Sequence, residues 1–192
     1  MGRWLLIIGM MGLLLSSCAT TTETVSSNNQ NAIRVEITGG DATDPRDKGR
    51  PVVLIAAALG VPTTVFREAF SHVSPAPAGQ EPDAEQVRRN KAELLAVLAP
   101  YNVTNETLDR VSDYYRFNAS AGETWPKTAA QIEAIVSDGV VTGFKLINPG
   151  AGYSSPPTIT LIGANAQTAT VSLNFGPDLA TNGSIAEIHL NQ

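Results

Sequence analysis

The apolar residues of this chain use two spacings. From Pro51 to about Phe117 they recur three and four positions apart. Beyond Trp125-Pro126 they recur at every second position. A period near 3.6 gives helices with one buried stripe, and a period of two gives strands with one buried face. A chain that uses the first and then the second is α+β, with a small helical unit followed by an antiparallel β module.

The helical part divides into about four short helices within residues 51–117. Pro51 opens a nearly all-apolar run to Leu59, and Gly60 is a natural C-terminal stop. The run is read as a buried helix, although a buried strand over Val52–Ala56 fits the same pattern. Phe66, Ala69, Phe70 and Val73 fall at i, i+3, i+4 and i+7 of a second helix. Asp83 can cap a third, with Val87, Leu94, Leu95 and Leu98 inward, and Pro100 ends it. Thr104 or Asn105 caps a fourth that carries Leu108, Val111, Ser112 and Tyr115 on one face.

The strands are punctuated by turn residues. Ile33, Val35 and Ile37 alternate with Arg34, Glu36 and Thr38 until Gly39-Gly40. Residues 32–126 are therefore grouped as one strand plus the helical unit, and 127–192 as the β module. At 130–137 the Ala content also suits a helix. A strand is preferred because Asp138-Gly139 is a strong two-residue hairpin signal leading into Val140–Ile147. Ile159 and Leu161 mark another strand. Ala169, Val171, Leu173 and Phe175 alternate with polar residues in a further one, and Ile185–Leu190 is the last.

Between the strands stands Asn148-Pro149-Gly150-Ala151-Gly152-Tyr153-Ser154-Ser155-Pro156-Pro157. Pro149 presets a corner, Gly150 and Gly152 can take positive φ, and Tyr153 can lie across the glycines. With the preceding Gly139–Leu146, this resembles the GxGYxxxP-type β repeat of phage tail and virion proteins and bacterial surface proteins. Gly183–Leu190 looks like the start of a second copy. The resemblance covers about residues 130–192 and implies a shape more than an activity. Gly150–Tyr153 is read first as a turn and second as a ligand-binding lip.

At the other end, Arg3 precedes an apolar run from Trp4 to Leu15, too short to span a bilayer and of signal-peptide length. It ends in Leu15-Ser16-Ser17-Cys18, which resembles the lipobox of bacterial lipoproteins. The resemblance implies a signal peptide over 1–17, cleavage before Cys18 and acylation of Cys18, with palmitate among the usual chains. Ala19 in place of Asp leans, by the enterobacterial sorting rule, toward the outer membrane. Residues 18–31, rich in Thr, Ser, Asn and Gln, read as a flexible tether. The expected location is the cell envelope, with the membrane itself a partner through the lipid.

Charge narrows the partners. Loss of residues 1–17 removes one cation, Arg3, and no acid, so the net charge moves from −5 to −6. Such a surface does not suit nucleic acid or a polybasic membrane patch. Residues 52–70 resemble a helix-turn-helix in pattern, but Arg67 is the single cation there, so a plain helical hairpin is the reading. Asp41, Asp44 and Asp47 form a weak candidate metal loop, without the alternate-residue spacing of a calcium loop. His72 and His189 are far apart, and no Ser lies in a GxSxG context, so no catalytic residue is assigned. No cofactor is implied. Tyr114, Tyr115 and Trp125, with Phe117 and Arg116 nearby and Tyr153 beyond, could stack on a sugar or peptide. More often such residues seal the junction between helices and strands, and that is the first reading. The leading expectation is a non-catalytic structural or interaction module. A glycan- or peptide-binding lipoprotein is the alternative, and a hydrolase of unrecognised site stands third. Oligomeric state is not legible.

Overall fold

A computed structural model describes residues 33–74, 83–117, 121–163 and 167–191. The signal-peptide, Cys18 and tether readings lie outside the described residues. The elements run β1 (Arg34–Gly39), α1 (Val52–Ala58), α2 (Thr63–Ser71), α3 (Ala84–Leu98), α4 (Asn105–Tyr114), β2 (Gln131–Ser137), β3 (Val140–Asn148), β4 (Pro157–Ile162), β5 (Ala169–Asn174) and β6 (Ser184–Leu190). The α+β reading, with four short helices before a C-terminal antiparallel β module, is what the chain adopts.

Local chemistry accounts for the helix ends. Asp83 accepts from the Gln86 backbone N–H at α3, and Thr104 accepts from that of Thr107 at α4. Both occupy the N-cap position, where a short oxygen-bearing side chain satisfies a donor the helix cannot. Gly60 (φ +70°) closes α1, and α2 leaves at 105° to it. The apolar run at 52–59 is therefore helical, with Leu54 and Ala56 fully buried.

Of the inward set expected on α3, Val87 points out. It is 47% exposed, and Leu98 is the buried residue of α3. The first turns of α3 meet the segment after α2 through polar side chains instead, Gln86 and Asn90 both donating to the Ser74 carbonyl.

The strands form three antiparallel ribbons, β1–β4, β2–β3 and β5–β6. Asp138 (φ 52°) and Gly139 (φ 79°) make the two-residue turn of the β2–β3 hairpin, pairing Ser137 with Val140. The first strand, grouped by its position with the helices, instead pairs with β4: Val35 faces Leu161 and Ile37 faces Ile159. Alternation reveals a strand but not its partner, which is why the sequence left it with its chain neighbours. The whole helical unit is thus inserted between two strands of the β part. β4 adjoins β5 through the Thr160–Thr168 bridge, β6 adjoins β3, and β2 adjoins β1. The ribbons surround a core of Ala130, Tyr153, Ile159, Val171 and Ile185. A second core joins the four helices with Tyr115 and Trp125.

Candidate functional site: a seam of aromatics and a groove beside Arg50

The glycine-rich motif is a backbone seam. Gly152 N–H donates to the Asn182 carbonyl, Tyr153 N–H to that of Gly183, and Ile185 N–H to that of Pro149. The Pro149–Tyr153 segment is therefore hydrogen-bonded along the Asn182–Ile185 segment. Gly152 (φ +81°) is packed so closely that a Cβ would overlap the Pro126 carbonyl oxygen. At Gly183 (φ +72°) a Cβ would stand 2.5 Å from the Tyr153 carbonyl oxygen. Only glycine meets both demands, the left-handed backbone and the missing volume.

The aromatic candidates are spent on this seam. Trp125 is 5% exposed, and its indole N–H donates to the Gly152 carbonyl at 2.8 Å. Tyr153 is 3% exposed, and its hydroxyl accepts from Ala130 N–H at 2.9 Å. Tyr115 is 4% exposed, and its hydroxyl accepts from the Asn182 side chain at 2.9 Å. Tyr114 is half-buried, stands edge-on to Tyr115 and donates to the Leu179 carbonyl. A sugar needs an open ring face, and Tyr115, Trp125 and Tyr153 offer none. Of the two readings of these aromatics, the burial of Tyr115, Trp125 and Tyr153 favours the junction over a stacking platform, and the close packing at Gly150 and Gly152 favours the turn over a ligand-binding lip. Burial pushes the Tyr115 hydroxyl up to about 12, with the Asn182 hydrogen bond opposing and Tyr114 adding to it.

The residue that organises this junction was not singled out by sequence. Asn182 is 1% exposed. Its amide nitrogen donates to the Leu54 carbonyl in α1 and to Tyr115 in α4, while its oxygen accepts from Gly176 N–H. A lone Asn before Gly reads as a turn residue, and its reach into the helical unit is visible only in three dimensions.

The three aspartates do not converge on an ion. Asp47 is buried and holds Arg67 in a two-point pair, Nε–Oδ1 at 2.7 Å and Nη2–Oδ2 at 2.8 Å. Asp44 caps the turn at Pro45–Asp47 and binds the Arg46 side chain, which holds its carboxyl well below the usual range. Asp41 lies near Lys127. Among the described residues no group of three or more His, Cys, Asp or Glu is arranged to hold a metal. The weak metal candidates Asp41, Asp44 and Asp47 are instead held by cations, Asp44 by the interleaved Arg46, Asp47 by Arg67 of α2 and Asp41 by Lys127. Arg67, the single cation of the helix-turn-helix-like segment, is consumed by this pairing.

No protein-family model, no curated protein and no solved structure matches this chain.

Two adjoining cavities border the helical unit. A groove of about 410 Å³ runs between the helices over Ile55, Phe66, Leu94 and Leu108, with Ser112 and Arg116 at its rim. A second cleft of about 390 Å³ is lined by Arg46, Lys48, Arg50 and Arg67, with Asp47. Arg50 and Phe70 border both. The Arg50 guanidinium stands 4.1 Å from the centroid of the Phe70 ring, and one of its N–H groups reaches the Asp47 carbonyl at 3.3 Å. Burial lowers its pKa, against the pull of Asp47. Sequence reasoning placed Arg50 in a charged loop and Phe70 on a helical stripe. Pro51 as the start of α1 was legible, but that this start sets Arg50 over Phe70 of α2 had no signal at the level of spacing.

Proposed function

We propose that the chain is a lipid-anchored cell-envelope protein whose folded part is a non-catalytic structural or interaction module. The reading is carried by one observation: the chain's single Cys stands at the end of a short apolar run, in Leu15-Ser16-Ser17-Cys18. Two or more acyl chains on that residue would give stable membrane residence where one would not. The polar stretch 19–31 then serves as a spacer, and Ala19 favours the outer membrane. The side chains best suited to stacking are engaged in joining helices to ribbons, which fits a rigid module carried on a tether.

Labelling cells with tagged palmitate tests this directly. The chain should incorporate label and partition into the detergent phase, and Cys18→Ala should abolish both. Equal labelling and partition of the Cys18→Ala chain would overturn the anchor.

A further inference from the structure

The cleft and the groove that share Arg50 and Phe70 differ in character, and the difference is informative. Arg67 is paired with Asp47, and Arg46 with Asp44. Among the described residues, Lys48 and Arg50 have no carboxylate within ion-pair distance, so the cleft retains uncompensated positive charge in an acidic protein. Arg50 is also the less solvated of the two, being half-buried on Phe70, with one backbone acceptor for its five N–H donors. Beyond Phe70 the lining turns apolar, over Ile55, Phe66, Leu94 and Leu108. Each cavity has a volume usual for a small-molecule site.

We propose that these adjoining cavities form one binding site for an anionic amphiphile with a single aliphatic chain, its head on Arg50 and Lys48 and its tail in the groove between the helices. The planar guanidinium can bind a carboxylate or a phosphate through two parallel hydrogen bonds, and its place on the Phe70 ring orients that fork. Loss of water around Arg50 strengthens an ionic partner placed there. A neutral chain would leave the cation unpaired, so the pair of cavities selects for a charged head as well as for an apolar tail. A free carboxylate and a phosphate headgroup share this chemistry.

Photolabelling tests the site. The full chain in maltoside micelles is irradiated with decanoate carrying a diazirine at its far end, against decanoate, decyl phosphate or decanol as competitor. Label is expected on the α2 and α4 peptides. Decanoate or decyl phosphate should compete at least tenfold better than decanol, and the stronger of the two identifies the head. Each methylene removed from the tail should weaken competition about fourfold. Arg50→Gln should erase the preference for the charged competitors. Ser112→Trp, at an exposed rim position, should block labelling by covering the groove, and it keeps the test open whatever Arg50→Gln does to folding. Decanol competing as well as decanoate would overturn the proposal, as would labelling unchanged in Ser112→Trp. The same labelling is expected of Cys18→Ala, so the site and the lipid anchor stand or fall separately.

Discussion

The side-chain amide of Asn182 donates to the carbonyl oxygen of Leu54 at 2.8 Å, across 128 positions of sequence. Through it the β5–β6 connection grips the first helix, and through Tyr115 it grips the fourth. Asn182→Ala would strip partners from the Leu54 carbonyl, the Tyr115 hydroxyl and the Gly176 N–H. Unsatisfied buried groups cost about 1–3 kcal/mol each where no water replaces the partner. With partial rescue by water, the expected loss is about 3 kcal/mol, lowering the thermal midpoint by roughly 10 °C. A midpoint within about 2 °C of the parent would show that the grip is dispensable.

Two glycines on either side of the same backbone geometry separate conformational strain from steric overlap. Gly139 takes φ +79° at the hairpin tip, and a Cβ there would meet nothing within 4 Å. Gly152 takes φ +81° against the Pro126 carbonyl. Gly139→Ala should cost about 1–2 kcal/mol, the left-handed penalty alone. Gly152→Ala must also move backbone, and should cost at least about 2 kcal/mol more or prevent folding. Equal urea midpoints for the two variants would mean that the seam is looser than its geometry indicates.

How far the sequence reached follows from what spacing encodes. The periods of 3.6 and two located the helices and strands, Asp83 and the Thr104-Asn105 pair located caps, and Asp138-Gly139 located a hairpin, because each of these is local chemistry. Partnership is not local. β1 and β4 share a period that many strands share, and nothing in Ile33–Ile37 names Ile159 and Leu161 as its partners. The aromatics Tyr115 and Trp125 were visible as either platform or junction, and only their burial decides. Arg50 looked like one cation among several in a loop. Its distinction is to be left over, like Lys48, once Asp47 has taken Arg67 and Asp44 has taken Arg46, and unlike Lys48 to be half-buried on Phe70, which requires knowing the pairs and the packing.

Those pairs lead to a two-part prediction. Arg67→Met should leave the buried Asp47 carboxylate without its main partner. Because Arg67 is itself partly exposed, about 2 kcal/mol of stability should be lost, less than for a fully enclosed pair. Restoring neutrality with Asp47→Asn in the same chain should recover part of it, read from urea midpoints of the single and double variants. Calcium should have no effect on the parent chain. A site of about 10 μM affinity would stabilise by about 2.7 kcal/mol in 1 mM calcium, so a thermal midpoint that rises on adding calcium and falls with chelator would contradict these pairings.

Alkaline titration offers the clearest electrostatic signature. Burial pushes the Tyr115 hydroxyl up to about 12, whereas an unfolded tyrosine ionises near 10. The folded state favours the protonated phenol. Stability from this group is therefore fully present below pH 10 and is lost as pH rises from 10 to 12, because the unfolded chain releases its proton first. Each unit of that window removes up to about 1.4 kcal/mol, or roughly 2–3 kcal/mol across it. Tyr115→Phe has no proton to lose. At pH 9 it should be the less stable chain by about 1 kcal/mol, since Asn182 loses one acceptor. By pH 12 the order should reverse. Urea midpoints of both chains, followed from pH 9 to 12, should cross. Parallel curves would mean that the Tyr115 hydroxyl ionises as freely in the folded chain as in the unfolded one, and that the junction between the helices and the ribbons admits water.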